Sequence, residues 1–276
     1  MYSLPTEPGS IGHTLDAGFK LYVVSFKRVL GISILAVLSV TVPILLVALA
    51  AVGFAGAGQE PGVAAIALIV VVSLGAVGLY LWFYLSAMCR IGGIAYGQDL
   101  RFGACMSMGM RRLFPVILAS LLYGLALLGG YVFFIIPGII LSLSMAFYAL
   151  CIVLEGDRIL ESLRHSHRLV WGNWWRTAII GTVVMVVYYV FSLAIEIPFI
   201  VLDRVLAEPE VGGVSEVVQP MFPLVGGILS TIGSILSAIV TFPLMISVFV
   251  VVFHDLKLRK EGQDLEARVE ALTVSA

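Results

Sequence analysis

The amino-acid sequence predicts an all-α membrane protein with about six transmembrane helices, and its composition, its charge-free stretches and its loop charges carry that prediction. The chain has 276 residues, of which 61% are hydrophobic and 12% are charged, and its mean hydropathy is +1.09. Soluble domains carry about 25% charged residues, so this chain lacks the polar surface that water requires. Five long stretches contain no charged residue: 29–59, 61–89, 113–154, 177–195 and 217–253.

The charge-free stretches set the positions of the predicted spans. A transmembrane helix needs about 20 apolar residues, so the stretch 113–154 is long enough for two spans joined by a tight turn. We therefore predict one membrane domain that contains six spans and ends in a tail at 254–276. The predicted spans are residues 29–53, 63–88, 114–130, 137–154, 177–202 and 224–253.

The 16 Lys and Arg residues are distributed unevenly between the two sides of these spans. Arg204 is the single basic residue in the loops near 56–62, 129–138 and 203–219, which also hold five acidic residues. All other basic residues lie in the remaining loops and in the termini. Cytoplasmic loops carry an excess of Lys and Arg, so we expect a multi-pass protein with both termini in the cytoplasm.

Three segments on the basic side have apolar residues at helical spacing, and we predict that each forms an amphipathic helix at the membrane surface. The first is 10–27, the second is 97–112, and the third begins near Gly156. Each precedes a pair of spans, so the chain can be divided into three helix-plus-hairpin units. The alternative is an ordinary alternation of basic loops and hairpins.

The third segment holds the strongest candidates for lipid contact. Basic side chains beside a membrane attract anionic headgroups, and three tryptophans next to them are suited to the interface. His165 and His167 are two residues apart and point to different faces of a helix, so we predict no metal site and no cofactor. The residues predicted to contact anionic lipid are Arg158, Arg164, Arg168 and Arg176.

Acidic residues in or beside a span are candidates for a polar or ion-binding site, and three are singled out here: Glu155, Asp157 and Glu196. Each also has a simpler interpretation. Glu196 follows Arg176 by 20 residues and is expected to reach headgroup water at the outer interface. Asp157 is expected to cap the helix that follows it, and Glu155 is expected to pair with a nearby arginine.

Sequence motifs of catalysis are absent from the chain. It contains no phosphate-binding Gly-x-x-x-x-Gly-Lys-Ser/Thr loop, no Gly-x-Ser-x-Gly elbow, no His-Glu-x-x-His and no Cys-x-x-Cys. We therefore predict that the protein is not an enzyme, and nothing indicates nucleic acid as a partner. Its three cysteines, an odd number, are expected to be packing residues rather than a disulfide framework.

The stretch FIIPGIILSLSMAFYALCIVLEGDRILESLRHSHRLVWGNWWR (134–176) resembles bacterial YciC-like proteins and the membrane domain of glycerophosphoryl diester phosphodiesterase. The resemblance lies in Pro137-Gly138, Glu155-Gly156, two helix serines, Trp174-Trp175 and the later DLKLRKEGQDLE (255–266). It implies a bacterial inner-membrane protein with about six spans. Phosphodiesterase catalysis resides in a separate soluble barrel, for which this sequence has no counterpart.

Three functions fit these observations. The first is a non-enzymatic scaffold or accessory subunit that binds anionic lipid and a partner membrane protein or a second copy of itself. The second is a transporter or flippase-like carrier of a small apolar or lipidic substrate. The third is an intramembrane lipid enzyme that uses Glu155, Asp157 and the histidines. Sparse polarity within the spans favours the first.

Overall fold

The computed structural model describes residues 2–58, 60–98, 100–133, 135–207 and 221–274, and the regular structure in these ranges is entirely helical. This confirms the predicted all-α class. The predicted outer loop with Glu208, Glu210 and Glu216 lies outside the described residues. The described helices are α1 (Ile11–Gly56), α2 (Val63–Ala95), α3 (Phe102–Phe133), α4 (Ile135–Ser144), α5 (Tyr148–Leu150), a π-helical turn (Cys151–Glu155), α6 (Ile159–Val170), α7 (Trp174–Ala207) and α8 (Met221–Val274).

Within the described ranges, six helical segments are long and apolar enough to cross a membrane. The chain is therefore a multi-pass membrane protein by the length and composition of its helices. The segments are Ile11–Phe54, Val63–Ala95, Phe102–Val132, Ile135–Glu155, Trp174–Val205 and Leu224–Lys260.

Helix α8 lies at the centre of the bundle and packs against α1, α2 and α7. Apolar helices in lipid gain stability mainly from close packing, which small residues allow. Gly18 of α1 illustrates this, because a Cβ atom there would lie 2.9 Å from Cγ2 of Val248 on α8. Gly233 of α8 gives the same close approach to Phe199 of α7. Backbone-close contacts thus hold both neighbours against α8.

Two of the three predicted surface helices are not separate helices. Residues 10–27 and the span at 29–53 belong to the single helix α1, and most of 97–112 belongs to α3. No glycine or proline lies at the junctions 27–29 and 112–114, and backbone hydrogen bonds within a helix are strongly favoured beside lipid. The last helix likewise continues without a break through the predicted tail to Val274. Among the described residues, α6 alone stands apart as a short amphipathic helix.

The fourth span is broken, whereas the sequence predicts one helix over 137–154. Helix α4 ends at Ser144, a turn follows, and the chain re-enters helix at Tyr148 before it widens into the π-helical turn at Cys151–Glu155. Gly156 then ends the span in the left-handed conformation, with φ of +82°. Helix α6 folds back over this broken end.

Candidate functional site

The break in the fourth span is held by a serine of α6. The Oγ of Ser166 accepts a hydrogen bond from the Phe147 backbone N–H at 3.1 Å and donates one to the Ser144 carbonyl at 2.8 Å. All three residues are buried. A buried backbone group without a partner is costly, so Ser166 replaces two bonds that the broken helix lacks. This fixes α6 directly against the fourth span.

The π-helical turn and Gly156 bring together the side chains of Cys151 and Asp157. Because the turn is wide, the backbone N–H of Asp157 reaches the carbonyl of Cys151, six residues earlier, at 3.3 Å. Single π-helical turns occur frequently at functional sites. The positive φ of Gly156 is a conformation that other residues adopt at a cost. Local backbone geometry therefore places the side chains of Cys151 and Asp157 on the same side of the chain.

An acidic cluster with one histidine occupies this end of the span. Nδ1 of His165 lies 2.6 Å from Oδ2 of Asp157 and 3.2 Å from Oε2 of Glu155. The other Glu155 oxygen, Oε1, accepts a hydrogen bond from Nζ of Lys257 at 2.7 Å. We call Glu155, Asp157, His165 and Lys257 the acid–histidine cluster. Its acidic and imidazole side chains are each about one fifth exposed.

Two sequence interpretations are wrong in detail here. Asp157 does not cap α6, since Arg158 is the N-cap residue and no side chain caps that end; the Asp157 carboxylate instead binds His165. Glu155 pairs with Lys257 and His165 rather than with an arginine. The structure thus brings together Glu155, Asp157 and His165.

Cys151 belongs to the same neighbourhood. Its Sγ, an oxygen of Asp157 and a ring nitrogen of His165 all lie within 4.8 Å of one another. Cys151 is fully buried, whereas the other two are partly exposed. Reasoning from sequence missed this group because Cys151 lies inside a predicted span. In the sequence, the one indication of this group is that its three residues lie close together along the chain. That closeness does not predict a site without the π-helical turn.

A second ionic cluster lies at the same level of α8 and binds the N-terminal segment. Asp255 accepts the Gly9 backbone N–H on Oδ1 at 3.1 Å, and its Oδ2 accepts from Nε of Arg176 at 3.2 Å and Nε of Arg259 at 3.0 Å. Both guanidinium groups also donate to the Gly9 carbonyl, and Arg176 donates to Oγ1 of Thr14. We call these five residues the aspartate–arginine cluster. Arg176 is therefore engaged inside the protein rather than displayed to lipid.

The N-terminal segment has further anchors on the same side. The Tyr2 hydroxyl donates to the carbonyl of Ala17 at 3.0 Å, and His254 Nε2 lies 3.1 Å from the carbonyl of Pro5. Burial, with Asp16 nearby, raises the pKa of the Tyr2 hydroxyl to about 12. Tyr2 thus stays a neutral donor at physiological pH.

The remaining predicted lipid contacts line one large groove between α3 and α6. Arg158, Arg164 and Arg168 are exposed and make no ion pair with any described residue. The groove measures about 1250 Å³, and its apolar side includes Leu118, Leu121 and Leu122 of α3 together with Met145.

The sequence predicts that the apolar face of α6 lies on the bilayer, but most of this face packs inside the protein. Leu163, Leu169 and Val170 are buried within the protein, against α3, α4 and α8. Leu160 and Trp171 are exposed. The helix thus covers the broken span with one face and presents its arginines with the other.

Glu196 lies apart from both clusters. It is partly buried on α7 and makes no hydrogen bond or ion pair with a described residue. Twenty residues of helix separate it from Arg176, which corresponds to about 30 Å at a rise of 1.5 Å per residue. The structure therefore does not join Glu196 to Glu155 and Asp157.

The fold and these sites define a helical-bundle membrane protein with a broken fourth span covered by an amphipathic helix. The chain belongs to the family described as "Domain of unknown function (DUF7847)", whose model matches residues 93–256, more than half of the chain. The matched region runs from the end of α2 to Leu256 of α8 and includes the broken span, α6 and Asp255. No curated protein and no solved structure matches the chain.

Proposed function

We propose that the protein is a non-enzymatic scaffold or accessory subunit of the bacterial inner membrane, which binds anionic lipid in the groove between α3 and α6. The observation that carries the proposal is the juxtaposition of three exposed arginines with an apolar floor in one groove of about 1250 Å³. Ordinary small-molecule pockets measure roughly 300–1,000 Å³, so this groove suits a larger, amphipathic ligand.

The chemistry of the groove matches a phospholipid. Guanidinium groups bind phosphate oxygens through paired, charge-assisted hydrogen bonds. Arg164 and Arg168 are four residues apart, so they project from the same face of α6. An acyl chain beside them would contact Leu118, Leu121 and Leu122. Anionic lipid is therefore the ligand class that fits both sides of the groove.

The proposed orientation has support from the positions of the basic residues. Both ionic clusters and the groove arginines lie at one end of the bundle, which we call the charged end. The positive-inside rule places such an end in the cytoplasm. A cysteine introduced at Gly97 should then resist a membrane-impermeant maleimide in intact cells, whereas one at Gly58 should react. The reverse pattern would contradict the orientation.

Native mass spectrometry of protein extracted with its own membrane lipids tests the lipid proposal. We expect the native chain to retain anionic phospholipid and the double variant Arg164→Gln, Arg168→Gln to lose most of it. The matched control is Arg101→Gln with Arg111→Gln, which removes the same charge from exposed positions outside the groove. Equal retention by both double variants would contradict a lipid site in the groove.

The same spectra test the scaffold proposal. A bound partner protein or a defined homo-oligomer would support it. The polar groups near the break already bond within the fold, so they do not offer a site for a transported substrate. A monomer that retains one specific small molecule would instead favour a carrier.

The carrier is the second candidate, and the broken fourth span favours it. Transporters build their sites at discontinuous helices, where freed backbone groups bind the substrate. In this chain, however, Ser166 occupies the freed groups of Ser144 and Phe147. The cavity beside the break is small, about 80 Å³, and its lining includes the apolar side chains of Phe147, Ile180 and Val248. These contacts suit packing better than transport.

A lipid enzyme would need the convergence of carboxylates and a histidine that the acid–histidine cluster shows. A general base, however, needs one carboxylate to orient it and a free nitrogen toward the substrate. Here both carboxylates lie against Nδ1 of His165, and the sulfur of Cys151 lies beside them. A thiol next to the imidazole and a carboxylate resembles a set of metal ligands more than an acid–base pair.

A further inference from the structure

We propose that Cys151, Asp157 and His165 form a binding site for a divalent transition-metal ion of the Zn²⁺ class. The inference is independent of the lipid proposal, because none of the three residues lines the groove between α3 and α6.

The ligand atoms of these three residues form a compact group. Sulfur, oxygen and nitrogen atoms that bind Zn²⁺ lie about 2.0–2.3 Å from the metal. The candidate atoms of Cys151, Asp157 and His165 all lie within 4.8 Å of one another, so the side chains need only close in slightly around an ion. Three protein ligands with a water as the fourth are typical of open zinc sites. Glu155 lies beside the group, with its Oε2 3.2 Å from Nδ1 of His165.

The types of ligand select the metal. Mg²⁺ and Ca²⁺ prefer oxygen ligands, whereas a thiolate with an imidazole and a carboxylate suits Zn²⁺, Co²⁺ or Fe²⁺. The thiolate and the Asp157 carboxylate together supply two negative charges to a dication. The nearby cation Lys257 pairs with Glu155, which is outside the ligand set, and the Arg112 guanidinium lies near Gly156.

Two of the three ligands are held by the π-helical turn. Cys151 is the first residue of the turn, and the Asp157 backbone N–H donates a hydrogen bond to the Cys151 carbonyl. His165 is adjacent to Ser166, whose two buried hydrogen bonds fix α6. Ligands on rigid elements make a site selective.

Metal binding at this site has a defined proton balance. Only the thiolate is a ligand, so the Cys151 thiol proton leaves to solvent. His165 must present the Nδ1 lone pair to the metal and carry its remaining proton on Nε2. The Nδ1 proton that bonds Asp157 therefore moves through solvent to Nε2, so the net release is the one thiol proton, and the 2.6 Å hydrogen bond is replaced by a bond from each side chain to the ion.

A route from solvent exists on both sides of Lys257. A cavity of about 500 Å³ is lined by His165 and Lys257 with other basic residues, and a second cavity of about 440 Å³ is lined by Glu155 and Lys257. An ion entering through the second cavity would meet Glu155 first. Lys257 therefore stands between the site and each opening.

The test is metal titration of tag-free, chelator-stripped protein in detergent. We expect one Zn²⁺ per chain by elemental analysis after desalting, in competition with Co²⁺. The Co²⁺ form should show a thiolate-to-metal charge-transfer band. His165→Gln and Asp157→Asn should each weaken Zn²⁺ binding at least about tenfold, since even residues that only support a ligand cost 10- to 100-fold. Cys151→Ser should abolish the charge-transfer band.

Matched controls separate the site from other thiols and carboxylates. Cys105→Ser removes a buried cysteine elsewhere, and Asp16→Asn removes an exposed carboxylate; both should bind as the native chain does. If Cys151→Ser fails to fold, the partly exposed His165 and Asp157 variants still decide the matter. Less than about a tenth of an equivalent of Zn²⁺ retained by the native chain, or equal binding by the His165 and Asp157 variants and the native chain, would overturn the proposal.

Discussion

The two ionic clusters at the charged end share one level of α8 but differ in how completely their groups are satisfied. In the aspartate–arginine cluster, one buried carboxylate accepts four hydrogen bonds, from Gly9, Arg176 and Arg259, and the arginines also reach the Gly9 carbonyl and Thr14. In the acid–histidine cluster, two carboxylates share one imidazole nitrogen, and Lys257 binds one of them. The first cluster is saturated by groups that fix the fold, whereas the second is acid-rich and partly exposed, and it is there that we propose a metal ion binds.

The largest expected effect comes from breaking the saturated cluster. Asp255→Asn removes the charge of a carboxylate that is only 7% exposed and that neutralises both Arg176 and Arg259. Removing one partner of a buried ion pair costs roughly 3–5 kcal/mol. We therefore expect a large fall in the thermal unfolding midpoint, measured by fluorescence-detected size-exclusion chromatography.

The control for this prediction is Asp16→Asn, which breaks an exposed pair with Lys20. Exposed pairs contribute only about 0–1 kcal/mol, so the unfolding midpoint should hardly move. Equal effects of the two variants would refute the structural role assigned to Asp255.

The second-largest effect is expected at the hydrogen bonds that hold α6 against the fourth span. Ser166→Ala leaves the Phe147 N–H and the Ser144 carbonyl without their partner, and an unsatisfied buried group costs about 1–3 kcal/mol. Ser142→Ala makes the same chemical change, but its hydroxyl only bonds the Ile139 carbonyl of its own helix. We expect hydrogen exchange of α6 to rise in the first variant alone; no difference between the two would contradict the role of Ser166.

A smaller effect is expected at the glycine that ends the π-helical turn. Gly156→Ala places a side chain at a φ of +82°, which costs roughly 1–2 kcal/mol, and its Cβ would lie 3.1 Å from the Arg112 guanidinium. Gly97→Ala has a similar φ of +74° and open space around it. The difference in unfolding midpoint between the two variants measures the contact with Arg112. A larger loss at Gly97 would show that this contact is unimportant.

The smallest effect on stability is expected within the acid–histidine cluster. His165→Gln removes an imidazole that is about one fifth exposed, and water can replace its contacts. We expect a change of only about 0–1 kcal/mol in the free energy of unfolding, measured by chemical denaturation without added metal. A loss as large as that of Asp255→Asn would mean that both clusters serve the fold, and the contrast between them would disappear.

Much of the fold could be predicted because lipid imposes simple rules. A span needs a minimum apolar length, and its backbone must bond within itself, so composition alone indicated six spans. The same rules do not say where a helix leaves the bilayer. Residues 10–27 therefore read as a separate surface helix although they are the first turns of α1.

The candidate sites were only partly predictable. Arg158, Arg164 and Arg168 could be recognised because their pattern is local to one amphipathic helix. Arg176 has the same sequence character, but its partner Asp255 is 79 residues away. No local pattern reports such a pairing. The convergence of Cys151 with Asp157 and His165 likewise depends on a π-helical turn, which has no reliable sequence signature.

The sequence by itself determined that this chain is an all-helical, multi-pass membrane protein, since apolar length and sparse charge leave no other stable arrangement. It also determined that most charged residues lie outside the long apolar stretches. Only the tertiary structure decided which of these charges neutralise one another and which remain available to a ligand. The physical reason is that electrostatic pairing depends on distances of a few ångströms between separate helices, whereas hydrophobic partition depends on composition averaged along each helix.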